Sequence, residues 1–310
     1  MKKYLVSGAA ILAATTTMAL AEFPDRPVSF VVPFPPGDLE DILTRMIAED
    51  FSAEYGVPAS VVNIPGGGGG PFPGAIEVAG APADGYTIGS FVMDVPLVGP
   101  LIGIPELNPN PFEPLGIFVT YPMVLAAPKD APYDTIAELA AYSQDNSVVV
   151  AHFGPELTPT QQTMSLAAKA GVNFAADVGV DVTDCNVLNA GDADVINTSL
   201  PIVLPCFDDL KVLVSFTEER TPLADYAQTA GEIVPELQMG LWNGLFVHQD
   251  TPADVREKII AVAEKTMASD RAQGLAADTG AFVYWKDADE AAAQMEADMA
   301  VMGMMAEILQ

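Results

Sequence analysis

The chain has 310 residues and carries 42 Asp and Glu against 13 Lys and Arg, a formal charge of −29 at neutral pH. Such a surface repels phosphate backbones and anionic lipid heads, so nucleic acid and membrane surfaces are excluded as partners, and the charge itself reads as solvation. Half of the residues are hydrophobic, enough for more than one core of ordinary size, and two lobes are expected.

Lys2 and Lys3 precede an apolar run from Tyr4 to Leu12, and Ala19-Leu20-Ala21 supplies a small-residue cleavage pattern, so residues 1–21 are expected to be an export signal. The run is too short and too rich in Ala and Thr to span a bilayer, and no Cys follows it to carry a lipid. A soluble, periplasmic mature chain starting near Glu22 is expected. That compartment permits Cys185 and Cys206 to pair, while their apolar context also suits two separate buried thiols, and spacing leaves both open.

Val28 to Pro33 and Ala59 to Asn63 read as short strands around a helical pattern in which Leu39, Ile42, Leu43, Met46, Ile47 and Phe51 recur, a βαβ unit. A helix over Gly74 to Ala79 leads through Pro82-Ala83-Asp84-Gly85 into a strand from Tyr86 to Val92, continuing a parallel sheet. Pro96 to Pro114 is dense in Pro and Asn and reads as loop with a short helix. Strands follow at Leu115 to Thr120 and Met123 to Ala127. Asp134 is the expected N-cap of a helix over Ile136 to Tyr142, and Ser147 to Ala151 opens a new βα series. The series runs through a helix from Pro159 to Ala170, a strand near Val172 to Ala176, a helical stretch near Thr183 to Asn189, and strands at Asp194 to Asn197 and Leu210 to Phe216. Gly240 to His248 is the last expected strand. Helices over Pro252 to Met267 and Ala288 to Ile308 close the chain, with Met295, Met299, Met302 and Met305 expected as core.

The residue sets of catalysis are missing. His152 and His248 are the only histidines, and there is no HExxH pair, no Gly-x-Ser-x-Gly elbow and no Gly-Lys dipeptide for a Walker loop. The run Gly66 to Gly70 fits no G-x-G-x-x-G frame. An enzyme, a metal centre and a cofactor are therefore not expected. His248 reads as structural, whereas His152, at the carboxyl edge of a sheet, is a ligand candidate.

Turns suited to a small molecule are present instead. Pro35-Pro36-Gly37-Asp38 ends one strand and Pro65-Gly66-Gly67-Gly68-Gly69-Gly70 the next, where glycine lets backbone N–H groups approach a ligand without a Cβ between. Phe153-Gly154-Pro155-Glu156-Leu157 runs into Thr158-Pro159-Thr160-Gln161, an expected capping box with Pro at the first helical position.

FPDRPVSFVVPFPPG, the acid at Asp41, VVNIPGGGGG, APADGYTIG, NPFEPLGIF, TIAEL, GDADVINTSLPIVLP and LWNGLFVHQDTPADV together resemble the extracytoplasmic solute receptors of tripartite tricarboxylate transporters, the Bug-type receptors. The resemblance covers nearly all of the mature chain. It implies an α/β, two-lobed, periplasmic-binding-protein-like fold, each lobe a mostly parallel sheet flanked by helices, with two crossing hinge strands. Lobe one would comprise residues 22–122 plus 246–310 and lobe two residues 123–245. It further implies that a small organic carboxylate (di- or tricarboxylate, aromatic acid or amino-acid-like) is enclosed by hinge closure and delivered unaltered to small and large membrane permease subunits. A monomer is expected. The alternatives are a ligand-sensing accessory to a membrane signalling protein and an exported enzyme.

Departures from the family pattern bear on the ligand. Relatives carry Pro-Pro-Gly-Gly-Gly-Thr-Asp where this chain has Pro36-Gly37-Asp38-Leu39-Glu40-Asp41, so two acids are new. A Ser-Ser-Gly-x-Gly-Ser turn is replaced by His152 to Thr158, a Lys-Gly by Val178-Gly179, and two residues are inserted around Pro71-Phe72-Pro73. A ligand carboxylate about 4 Å from that of Asp38 would be repelled by roughly 1 kcal/mol in water and ~4 kcal/mol at an effective dielectric of 20. A helix start returns only about 0.3–2 kcal/mol. Either Asp38 caps the helix with Glu40 in solvent, or the acids face the cleft and favour a zwitterion, an amine or a cation such as calcium. Aromatic residues at the turns, if they line the cleft, would favour a partly apolar acid. The expected ligand-binding set is Phe34, Pro36, Gly37, Asp38, Asp41, Gly67, Gly68, Met93 and Asp94 from lobe one, and His152, Phe153, Gly154, Thr158, Gln161, Thr198 and Ser199 from lobe two.

Overall fold

The computed structural model describes residues 22–66 and 70–310; the expected export signal and the candidate residues Gly67 and Gly68 lie outside them. In chain order the strands are β1 (Val28–Val32), β2 (Ala59–Asn63), β3 (Thr87–Val92), β4 (Phe112–Thr120), β5 (Met123–Pro128), β6 (Val149–His152), β7 (Ala176–Gly179), β8 (Val195–Ser199), β9 (Leu210–Ser215), β10 (Trp242–His248) and β11 (Phe282–Lys286). The helices are α1 (Leu39–Tyr55), α2 (Phe72–Ala79), α3 (Asp94–Leu97), α4 (Ile136–Tyr142), α5 (Thr158–Ala170), α6 (Cys185–Asn189), α7 (Leu200–Val203), α8 (Ala230–Ile233), α9 (Ala253–Met267), α10 (Asp270–Thr279) and α11 (Ala288–Ile308).

Two sheets result, ordered β11-β4-β10-β3-β1-β2 and β7-β6-β8-β5-β9. Each has a parallel βα core, β2-β1-β3 in the first and β7-β6-β8 in the second, while every other pairing is antiparallel. The sheets are thus mixed rather than mostly parallel. The physical reason is the chain's two crossings between sheets: β4 passes to β5 through Tyr121-Pro122, and the segment after β9 returns to β10, so strands arrive in reversed sense. The crossings are tied side by side, Tyr121 N–H donating to the Leu241 carbonyl at 2.8 Å. A lobe boundary at residue 246 would cut β10, which pairs with β4 from Trp242 to His248; we place it before Trp242 instead.

Alternation along the second sheet sends its side chains to two cores. Leu125, Val150 and Val195 join the main cluster, which is continuous with Phe30, Phe51, Phe91 and Phe246 of the first sheet. Val124, Ala126, Ala151 and Ile196 form a smaller cluster on the opposite face. Cys185 and Cys206 are disulfide-bonded beside that second cluster, with Cα atoms 6.5 Å apart. Helix α11 packs on β4 and also on α5, bridging the lobes; Met305 is buried there, but Met299 is exposed, contrary to the expected methionine core.

Local differences have local causes. Thr135, not Asp134, caps α4 by accepting from Glu138 N–H, while Asp134 pairs with Lys211 at 2.6 Å. Gly171, in the left-handed region, ends α5, and Val172 N–H turns back to the Ala167 carbonyl, which delays β7 to Ala176. Helix α10 and strand β11 carry no strong pattern: α10 buries only Ala272 and Thr279, and β11 is a half-buried edge strand.

Candidate functional site

At the start of α1, Asp38 occupies the N-cap position with extended backbone, yet its side chain caps no amide. Glu40, expected in solvent if Asp38 capped the helix, is 3% exposed and accepts a hydrogen bond from the Tyr121 hydroxyl at 3.0 Å. Glu40 is thus drawn inward, while Asp38 is half-buried. Burial pushes the Glu40 carboxyl up to about 8, helped by the charge of Asp38. Burial also raises Asp38, with the charge of Asp41 adding to it.

Asp41 has another role. Its carboxylate accepts from Gly37 N–H at 2.9 Å, from Arg45 Nε and Nη2 at 2.9 Å each, and from Asn63 Nδ2 at 2.8 Å. Burial alone would raise this carboxyl; the donors hold it below the usual range. Asp41 thus shapes the Pro-Pro-Gly turn and consumes the Gly37 amide that a ligand would have used. Gly37 sits at φ +99°, where a side chain would be strained.

Behind Glu40 runs a closed polar circuit. Tyr121 also reaches Asn243 Oδ1 at 3.3 Å, Asn243 Nδ2 donates to Ser90 Oγ at 2.8 Å, Ser90 and Thr44 hydroxyls lie 2.8 Å apart, and Thr44 Oγ1 donates to the Glu40 carbonyl at 2.6 Å. Tyr121, on the short crossing, thereby links the first turn of α1 to the segment between the sheets. Sequence reasoning missed Tyr121, Asn243 and Ser90, although a polar residue inside an apolar strand such as LWNGLF is the signal for a buried network.

From the other lobe, α5 starts differently from the expected capping box. Leu157 holds the N-cap position and Thr158 is the first helical residue; its N–H and Oγ1 both donate to Asp94 Oδ1, at 2.9 and 2.8 Å. Gln161 turns back to the Pro155 carbonyl. Asp94 is 2% exposed, and burial raises its carboxyl despite the Thr158 bonds. The same faces meet where Leu157 Cδ2 lies 3.2 Å from the position of a Cβ on Gly70, so glycine there admits the α5 turn.

His152 is buried, with Nε2 2.9 Å from Asp177 Oδ2, and its Nδ1 is unpartnered. Asn197, on the neighbouring strand, donates to Thr163 of α5 while its Oδ1 is unpartnered, as is the buried Thr160 hydroxyl. Asn197 and Thr160 are further residues that sequence reasoning missed. Thr198 turns to the opposite face and donates to the Thr183 carbonyl, away from this group. Ser199 is buried before α7, and Met93 is wholly core. Phe34 and Phe153 are half-buried against the core, and Pro36 is exposed. Among the described residues no three His, Cys, Asp or Glu side chains are grouped to hold a metal ion, and no helix is long and apolar enough to cross a membrane.

Two α/β lobes, joined by crossing segments and turning strand-to-helix turns toward each other, have the architecture of periplasmic binding proteins, and the class defined is a solute-binding receptor. The family model described as "Tripartite tricarboxylate transporter family receptor" matches residues 43–308, and the chain belongs to that family. A relative from Pseudomonas sp. strain P51, the UPF0065 protein of the tcbD-tcbE intergenic region, is 29% identical over 275 residues, covering 83% of this chain and 80% of its own. The periplasmic binding protein BugD is 26% identical, with a TM-score of 0.75 over 92% of this chain and 97% of its own. R. palustris Rpa4515, solved with adipate, shares the fold at 22% identity and a TM-score of 0.79, covering 93% and 98%.

Proposed function

We propose that the protein works outside the cytoplasmic membrane, encloses a small organic acid between its lobes, and presents it unaltered to permease subunits in the membrane. The observation that carries this reading is that strand-to-helix turns of the two lobes meet, Asp94 after β3 with Thr158 at the α5 start and Gly70 before α2 with Leu157. Family membership and an adipate-bound structural neighbour support a carboxylate as the solute class.

The acids narrow that class. Burial raises the Tyr121 hydroxyl, with the charges of Glu40, Asp38 and Asp94 adding to it, and among the described residues none of the three acids bonds a basic side chain. A tricarboxylate would find no basic side chain beside these acids to balance its charge. An acid that also carries an ammonium or hydroxyl donor, as amino acids and hydroxy acids do, matches the charge of the site. Thermal denaturation of the mature protein against a panel of amino acids, hydroxy acids, and plain di- and tricarboxylates tests this, because a ligand of the native state raises Tm by mass action. Stabilisation confined to tricarboxylates would reject the narrower class; conversion of a stabilising compound to product would reject the receptor.

A further inference from the structure

From the hydrogen bonds at the start of α5 we infer that Asp94 is a built-in carboxylate that takes the donor seat of the second lobe and latches the two lobes together. The inference rests on the receptor reading only for what the latch excludes. The latch itself rests on the donor count.

An α-helix start offers up to four backbone N–H groups that its own carbonyls cannot satisfy, and those groups attract anions. In α5 that supply is nearly spent. Pro159 has no N–H, and the N–H groups of Thr160 and Gln161 both turn to the Leu157 carbonyl, at 3.0 and 3.1 Å. The Thr158 N–H is what remains, with the Thr158 hydroxyl beside it, and Asp94 Oδ1 accepts from both. Asp94 belongs to the first lobe, on α3 directly after β3, and Thr158 to the second, so the two bonds cross the cleft. The two donors satisfy a carboxyl oxygen that is 2% exposed and would otherwise be buried without a partner.

A ligand carboxylate seeking the α5 start must therefore displace Asp94. A solute with a single carboxylate, bound elsewhere in the cleft, need not. Asp94 is in this way the residue that discriminates against dicarboxylates.

Small-angle X-ray scattering of the ligand-free mature protein, with Asp94→Ala and Asp94→Asn beside wild type, reads the latch without any ligand. Asp94→Ala is expected to increase the radius of gyration, and Asp94→Asn, which keeps the size and one acceptor oxygen, to increase it less. An Asp94→Ala profile superimposable on wild type overturns the latch. Should Asp94→Ala fail to fold by circular dichroism, Asp94→Ser, whose side chain is too short to reach the Thr158 donors, carries the same comparison, and an unchanged profile overturns it equally. Calorimetric titration with adipate then reads the seat: at least tenfold tighter binding by Asp94→Ala than by wild type is expected, and equal affinities overturn the discrimination. Expansion on mutation with no organic acid bound by either protein upholds the latch and rejects the receptor reading.

Discussion

The Tyr121 hydroxyl donates to Glu40 Oε2 at 3.0 Å, which joins the crossing between the sheets to the first turn of α1. A carboxyl placed there, buried and next to Asp38, is harder to ionise than one in water.

That placement makes stability depend on pH with a definite sign. The folded-state value of Glu40 is pushed up to about 8 from an ordinary 4.5, so folding favours the protonated form. Its contribution is fully present below about 4.5 and is lost as pH rises toward 8. At 1.36 kcal/mol per unit, the loss is on the order of 4–5 kcal/mol. Urea denaturation of wild type and Glu40→Gln between pH 5 and 9 checks this. The variant should gain stability relative to wild type as pH rises, and parallel curves would exclude the effect.

Asp41 has the opposite sign, because its donors favour the charged form, so its contribution is present at neutral pH and lost on acidification below its ordinary value of 3.8. At pH 7 Asp41→Ala empties a buried position and removes one of the two acceptors of Asn63 Nδ2 along with that of the Gly37 N–H, and should cost about 2–4 kcal/mol. Arg45 is 43% exposed, and Arg45→Ala should cost only ~1 kcal/mol. Chemical denaturation at pH 7 ranks the two; equal costs would place the weight on the ion pair rather than on the turn.

Thr158→Ala removes one of the two donors to Asp94 and leaves the helix backbone in place. Stability should fall by about 1 kcal/mol, and affinity for the best ligand of the thermal screen should change severalfold. Calorimetry checks it, and an unchanged affinity would remove Thr158 from the site.

The Cys185–Cys206 bridge closes a sequence separation of 21 residues. Its reduction should lower stability by about 3 kcal/mol on the chain-entropy model. Melting with and without a thiol reductant measures the shift, with Cys185→Ser/Cys206→Ser as the control that should no longer respond.

The chain's own order of residues determined the class of fold. Apolar runs such as VSFVV and the stripe from Leu39 to Phe51 allow one conformation each, so β1, α1, β2 and the later βα units were legible, as were the glycine and proline turns that end the strands. The family resemblance, carried by those same turns, was legible too. What periodicity could not hold was direction and pairing: β10 reads as a strand, but only folding places it antiparallel between β3 and β4. The site was legible as a set of turns and not as a set of contacts. Asp38, Glu40 and Asp41 stand within four positions, yet one is paired with Arg45, one is sealed beneath Tyr121 and one caps nothing. Asp94 and Thr158 lie 64 residues apart, and no local pattern could bring them within 2.9 Å. A side chain's local preference sets its backbone, but its charge state and partners depend on solvent exclusion and on groups distant in sequence, which only the tertiary structure decides.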